Sequence, residues 1–138
     1  MLAVGQEKIG QINEGAVKAM GAFGGGIAST GRVCGILIGG VALISSIYSR
    51  GNLEEKEDPR MWKLGYKLTK IFEGMTESHG GINCRDIARV NWKDKDAVRA
   101  FYGGDDDRRD ICTQLVGDMA YTLGELVEGE TQSDAKRK

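Results

Sequence analysis

An uncharged, glycine-rich run from Val33 to Ser49 constrains the fold of this chain more than any other feature. Its sequence, VCGILIGGVALISSIYS, is apolar on every side of a helix, as is typical of a helix at the centre of a bundle. Gly35 and Gly39 stand at GxxxG spacing, which lets neighbouring helices approach closely. The run is also a transmembrane candidate, but about 17 residues with several glycines and serines is short for a span. We therefore predict a buried central helix and no membrane insertion.

Amphipathic segments on both sides of this run supply helices to cover it. A weak helical periodicity predicts a helix from about Gln6 to Ala22, which the glycines that follow should end. Beyond a polar connection, Pro59 is a favourable residue at a helix start. Apolar residues from Met61 to Met75 then recur at the spacing of an amphipathic helix.

The second half of the chain is predicted to hold two more helices. Gly80-Gly81 should end the amphipathic helix, and Asn83 should cap a short helix that begins at Cys84. The aromatic residues between 91 and 104 are expected to pack as a satellite of the core. Aspartates favour a helix N-terminus, so the last helix should begin between Asp105 and Asp110.

These elements predict the fold class. We expect one all-α domain over residues 1–138, a helical bundle around the central Gly-rich apolar helix, with flexible termini at about 1–5 and 129–138. Lys+Arg total 19 against 20 for Asp+Glu, a balance that argues against nucleic acid as a partner.

The cysteines are the candidate functional residues. Cys34, Cys84 and Cys112 are odd in number, and none stands in a CxxC pair. The first residues lack the apolar core of a signal peptide. Both observations favour free or metal-bound thiols in a reducing compartment, and we predict the cytoplasm.

Each cysteine lies near a predicted helix start, where the macrodipole lowers a thiol pKa and favours the thiolate. If Asp110 caps the last helix, Cys112 is in its first turn; if the helix begins at Asp105, Cys112 is about two turns in. Three such thiols suggest a redox or metal site assembled in space. The alternative is three ordinary buried cysteines, since Cys packs well as a small hydrophobe. Their spacing has no zinc or ferredoxin signature, although His79 is available as an additional ligand.

The glycine loop before the central helix is a candidate anion site. Residues 26–33 nearly match a phosphate-binding Walker A motif, with Arg32 in the lysine place and Val33 in the Ser/Thr place. Because no apolar strand precedes this loop, a nucleotide site is disfavoured. Free amides at a helix start can still bind an anion. The residues of this predicted anion-binding loop are Gly24, Gly25, Gly26, Gly31 and Arg32.

Four short motifs resemble one known family. They are FGGG at 23–26, GxVCGxxxG at 31–39, INCR at 82–85 and a late cysteine, Cys112, before an apolar helix. This pattern resembles the redox-active proteins named for the cysteine pattern C_GCAxxG_C_C, which are related to a domain of the split-Soret cytochromes. The resemblance covers about Gly15 to Glu128. It implies a small, mostly helical protein whose cysteines bind a metal or iron–sulfur centre or cycle as thiols.

The chain departs from that family pattern in two places. It has no cysteine before Cys34, and Ile36 stands where the family has alanine. A fourth ligand from this chain or from a partner chain would complete the site; otherwise this member has lost the centre. The resemblance thus implies a redox-active or metal-binding protein using Cys34, Cys84 and Cys112, with a redox partner protein and possible homo-oligomers. The alternative is a non-catalytic helical interaction protein of the same fold.

Overall fold

A computed structural model describes residues 1–104 and 107–137, and the side chains up to Ser133. Two short 3₁₀ turns accompany the α-helices. The α-helices are α1 (Leu2–Ile9), α2 (Glu14–Ala19), α3 (Gly35–Tyr48), α4 (Arg60–Thr76), α5 (Cys84–Ala88), α6 (Lys95–Tyr102) and α7 (Asp107–Arg137). No strand occurs in the described residues, and the predicted all-α class is confirmed. The predicted start of the last helix falls partly on Asp105 and Asp106, which lie outside the described residues.

Helix α3 occupies the centre, as its uncharged sequence predicts. It packs against α1, α4 and α7, and Ile44 is completely buried. Its glycines permit this close packing: a Cβ on Gly40 would lie 2.9 Å from Cδ2 of Leu68 in α4. A Cβ on Gly39 would lie 2.9 Å from Cβ of Met1. The close approach predicted from the small residues is confirmed.

Helices α4 and α7 complete the main core. Pro59 precedes α4 as predicted, and the centre of the apolar face of that helix is buried. The buried residues of the two helices are Leu64, Leu68 and Phe72 in α4, and Leu115, Met119 and Leu123 in α7.

The amino-terminal region differs from the prediction of one helix between Gln6 and Ala22. Gly10 ends α1 with a φ of 70°, and Asn13 caps α2 by accepting a hydrogen bond from the Ala16 amide. Gln6 is buried, and its Oε1 accepts from the Asn13 amide at 3.1 Å. Residues 2–5 belong to α1, where Leu2 is buried in the core, although the sequence places them in a flexible terminus.

Helix α6 is an element that the apolar pattern does not predict. The side chain of Asp94 accepts hydrogen bonds from the amides of Asp96 and Ala97 and so starts this helix. Phe101 on α6 packs with Cys84, Ala88 and Val90 in a second, smaller core, against which Trp92 also packs. The predicted satellite packing of the aromatic residues is confirmed.

Among the described residues, none of the helices combines the length and apolar character that crossing a membrane requires.

Candidate functional site

Two of the cysteines flank a single backbone bridge between distant parts of the chain. Val33 and Asn83 form an isolated antiparallel bridge. On one side of it the Cys34 amide donates to the Ile82 carbonyl at 2.9 Å, and on the other the Cys84 amide donates to the Arg32 carbonyl at 2.7 Å.

This pairing determines where the two side chains point. Successive side chains alternate between faces, so Cys34 and Cys84 share the face opposite to Val33 and Asn83. They are diagonal neighbours across the bridge, a relation that places side chains about 7–8 Å apart. The bridge therefore brings together two thiols that the sequence separates.

Cys112 joins this pair from α7. It is half-buried and packs against both the main core, which contains Cys34, and the smaller core, which contains Cys84. Since α7 already includes Asp107, Cys112 lies in the second turn or beyond, and the alternative that placed it in the first turn is wrong. Negative charge on Cys34 or Cys84 raises the pKa of Cys112, so the three thiols interact electrostatically.

Burial controls the ionisation of the thiols. It raises the pKa of Cys34 and Cys84, and together with the other cysteines it raises the pKa of Cys112 to about 11. Cys34 is the N-cap residue of α3, and the Ile36 and Leu37 amides act to lower its pKa, but desolvation outweighs them. The expectation of thiolates stabilised by helix N-termini is therefore wrong: the structure favours protonated thiols.

Trp92 is a neighbour of Cys84 that the sequence does not identify. Its indole N–H donates to the sulfur of Cys84 at 3.3 Å and acts to lower the pKa of that thiol. The aromatic residues around position 92 predict only packing. The contact depends on the turn between α5 and α6, so the spacing of residues in the sequence does not predict it.

A left-handed turn packs against Cys84. Gly25, Gly26, Ile27, Ala28 and Ser29 all have φ between 50° and 72°, a conformation that non-glycine residues rarely adopt. A Cβ on Gly26 would lie 2.7 Å from Cβ of Cys84 and would also collide with the Arg32 backbone. Glycine is therefore required at this position for the turn to reach Cys84.

The side chain and backbone of Arg85 hold the same turn in place. Its amide donates to the Gly31 carbonyl at 3.0 Å, and its Nε donates to that carbonyl at 3.1 Å. Its Nη2 donates to the Thr30 carbonyl at 3.4 Å. The INCR segment thus contributes both a cysteine and the residue that binds the glycine loop beside it.

The amides of the glycine loop are largely occupied. Each amide from residue 27 to residue 32 donates to a backbone carbonyl within the loop or in the residues just before it. Gly31 and Arg32 therefore have no amide free for an anion. Binding at the loop formed by Gly24, Gly25, Gly26, Gly31 and Arg32 stays a prediction.

The possible metal ligands of the chain are spread over several elements. His79 ends the 3₁₀ turn after α4 and is half-buried. Among residues 1–104 and 107–137, no group of three or more His, Cys, Asp or Glu side chains is arranged to hold a metal ion. The three thiols are neighbours, but they do not form a ligand set in this arrangement, with or without His79.

The fold and the site define a class: a small helical protein with three free, mutually interacting thiols beside a glycine-rich turn. Residues 1–126 match the family described as "Putative redox-active protein (C_GCAxxG_C_C)", and the chain belongs to that family. No curated protein and no solved structure matches the chain.

Proposed function

We propose that this chain is a thiol redox protein in which Cys34 and Cys84 cycle between a dithiol and a disulfide. The observation that carries the proposal is the Val33–Asn83 bridge, which makes the two cysteines diagonal neighbours on one face. Both thiols are free, and they interact electrostatically. Membership of a family described as redox-active supports the same chemistry.

The reaction is a thiol–disulfide exchange with a disulfide substrate. One thiolate of the pair attacks a substrate sulfur, and a mixed disulfide forms as the first substrate thiolate leaves. The second cysteine then attacks the mixed disulfide, which closes the Cys34–Cys84 bond and releases the second substrate thiolate. The two protons lost by Cys34 and Cys84 protonate the two leaving thiolates, so one disulfide is reduced as another forms.

Closing this bond requires a local movement. A disulfide needs Cβ atoms about 3.5–4.5 Å apart, which is closer than diagonal neighbours in a flat pairing. The bridge consists of two backbone hydrogen bonds, and glycines border both partner segments at Gly31 and Gly81. Closing the disulfide therefore requires these hydrogen bonds, and those from Arg85 to the Gly31 carbonyl, to adjust.

Cys112 extends the site as a third thiol. It interacts with both members of the pair, and its pKa is raised to about 11, so it is the least suited of the three to attack as a thiolate. Cys34 and Cys84 therefore carry the proposed exchange, and Cys112 takes no step in it.

A thiolate-bound metal or iron–sulfur cluster at Cys34, Cys84 and Cys112 is the alternative that the family name leaves open. It would need the sulfurs to move into a ligand set, since the described donors form none. The disulfide needs only two sulfurs to meet and is therefore preferred. The proposal implies a protein or small-molecule disulfide as redox partner and a reducing compartment such as the cytoplasm.

Redox titration with peptide mapping tests the proposal. The protein is purified without oxygen, equilibrated in graded thiol–disulfide buffers, trapped with a maleimide and digested with trypsin. Cys34, Cys84 and Cys112 fall in separate tryptic peptides, 33–50, 71–85 and 110–136, so each linkage is distinguishable by mass. We expect a reversible link between the first two peptides, retained in Cys112→Ser and lost in Cys34→Ser.

Three results would contradict the proposal. Iron or zinc bound in stoichiometric amount, and lost in each cysteine variant, would favour the metal centre. Thiols that never cross-link in metal-free protein would favour the non-catalytic interaction protein. A link that always includes Cys112 would assign the chemistry to a different pair.

A further inference from the structure

A positively charged pocket lies on the outer side of the glycine turn, next to the thiols. It encloses about 540 Å³ between the end of the turn and the segment that follows α5. Its wall includes Ser29, Gly31, Arg85, Arg89, Trp92 and Lys93. Of the five residues predicted to form the anion-binding loop, only Gly31 lines this pocket, together with the neighbouring Ser29 and Thr30.

The charge of the pocket has one sign. Its wall contains two arginines and one lysine and no acidic residue. In the described part of the chain, the salt bridges use none of Arg85, Arg89 and Lys93. The Arg85 guanidinium already donates to the Gly31 and Thr30 carbonyls. Arg89 and Lys93 are therefore the side chains available to an anion, and an anion beside them would reduce the repulsion between like charges.

The backbone has a positive φ on both sides of the pocket. Among the described residues, four residues other than glycine have a positive φ, and two of these, Ser29 at 60° and Arg89 at 51°, line the pocket. Arg89 is the left-handed residue that ends α5, an ordinary helix terminus, while Ser29 belongs to the left-handed turn. Ser29 also supplies a hydroxyl group for an oxygen ligand.

We propose that this pocket binds the phosphate groups of a small phosphorylated molecule. Arginine presents a planar fork of N–H donors that matches two phosphate oxygens, and lysine adds a point charge. The volume lies within the range of about 300–1,000 Å³ that is usual for small-molecule sites. The site does not depend on the thiol chemistry proposed above.

Trp92 connects this pocket to Cys84. The indole lines the pocket and donates its N–H to the sulfur of Cys84. A bound polyanion would place negative charge near that sulfur, disfavour its thiolate and slow its reaction with an alkylating reagent. By linkage, modification of Cys84 with a negatively charged reagent would weaken anion binding.

Calorimetric titration with pyrophosphate at fixed ionic strength tests the site. We expect one pyrophosphate per chain, with an affinity weakened at least about tenfold in the double variant Arg89→Gln/Lys93→Gln. Lys56→Gln/Lys67→Gln makes the same change in net charge at exposed residues outside the pocket and should bind as the unsubstituted protein does. Saturating pyrophosphate should also slow alkylation of Cys84, measured on peptide 71–85, with no such effect in the pocket variant.

The results separate this proposal from the redox proposal. The proposal would be overturned if millimolar pyrophosphate gave no heat of binding. It would also be overturned if both double variants lost the same amount of pyrophosphate affinity. Binding that is intact in Cys84→Ser and lost in the pocket variant supports it, whatever the redox titration shows.

Discussion

At the residue scale, the three thiols differ in the groups that surround each sulfur. Cys34 faces the amides that begin α3, Cys84 accepts a hydrogen bond from Trp92, and Cys112 has neither kind of donor among the causes of its shift. Each donor favours the thiolate, while burial favours the thiol. Cys34 and Cys84, whose thiolates are stabilised by hydrogen-bond donors, should therefore react faster than Cys112.

Trp92 should increase the reactivity of Cys84. In Trp92→Phe the indole donor is lost while an aromatic ring remains, so the pKa of Cys84 should rise and its alkylation at neutral pH should slow about two- to tenfold. Peptide mapping after timed reaction with iodoacetamide measures the rate. Trp62→Phe, at an exposed position whose indole donates to Glu57, is the matched control and should leave the rate unchanged. An equal rate in the two variants would show that the Trp92 contact has no influence on the thiol.

Cys112 should make the stability of the protein fall at high pH. Its pKa is raised from 9.0 to about 11, so between these values the folded protein retains a proton that the unfolded chain releases. The stabilisation is complete below about pH 9 and is lost as the pH rises through about 11. Urea unfolding under reducing conditions at several pH values measures this.

The control for this pH dependence is Cys112→Ala. The quantity to compare is the slope of the free energy of unfolding against pH, not the absolute stability. The variant should lose less free energy of unfolding between pH 9 and 11 than the unsubstituted protein does. Parallel curves would show that Cys112 titrates alike in the folded and unfolded states.

At the element scale, the left-handed turn is the unusual feature of the fold. It joins a 3₁₀ turn to the start of α3 and includes three consecutive residues with side chains, Ile27, Ala28 and Ser29, at positive φ. The turn is kept by its own backbone hydrogen bonds and by Arg85. A glycine substitution at one of these three positions should relieve the backbone strain of the positive φ.

Ala28→Gly should stabilise the protein by about 1 kcal/mol, because glycine adopts φ of 50° without the cost that a Cβ carries. Ala100→Gly, at an exposed position within α6, should destabilise it by about 0.5–1 kcal/mol. Chemical denaturation of the two variants gives opposite signs if the turn is left-handed in solution. A loss of stability in both would contradict the left-handed conformation at residue 28.

Helices with a long apolar pattern are predicted well from the sequence. Helix ends that depend on one residue are predicted less well. The apolar face of α4 and the uncharged α3 follow from periodicity and composition, since burial of whole faces dominates their stability. The start of α5 at Cys84 also follows, although Asn83 makes no side-chain capping bond. The break at Gly10 and the cap at Asp94 depend on single residues within weak patterns.

The site is predictable in its members but not in its arrangement. The cysteines are identifiable because they are few and lie near helix starts. The meeting of Cys34 and Cys84 depends on the Val33–Asn83 bridge, which no local pattern encodes. Thiolates were expected because a helix dipole lowers a thiol pKa. Desolvation raises the pKa by more once the side chain is buried, and the sequence does not show how deeply each cysteine is buried.

At the scale of the whole molecule, α7 spans both cores and continues beyond them. Leu115, Met119 and Leu123 are buried, while residues 128 and 129 and 131–133 are exposed. Beyond this point, Lys63 and Glu130 form an ion pair at 2.8 Å in which the lysine is exposed. The helix therefore stabilises the bundle mainly through the residues before position 128.

Removal of residues 129–138 should change the free energy of unfolding by less than about 1 kcal/mol, since it removes one ion pair whose lysine is exposed and, among residues 129–133, no buried apolar side chain. Removal of residues 123–138 deletes the buried Leu123 as well and should cost several times more, about 3 kcal/mol or above. Thermal and urea unfolding of the two truncated chains measure the difference. Equal losses would mean that the end of α7 carries stability that its exposure does not suggest.

The Val33–Asn83 bridge also has a consequence for the order of events during synthesis. Its partners are separated by all of α3 and α4, so a long loop must close before the two cysteines meet. Contacts between such distant segments form late in folding, after local helices. An oxidant that reached the nascent chain would therefore encounter isolated thiols and favour links between molecules. If Cys34 and Cys84 form the proposed disulfide, the chain should therefore complete its tertiary structure before oxidation joins that pair.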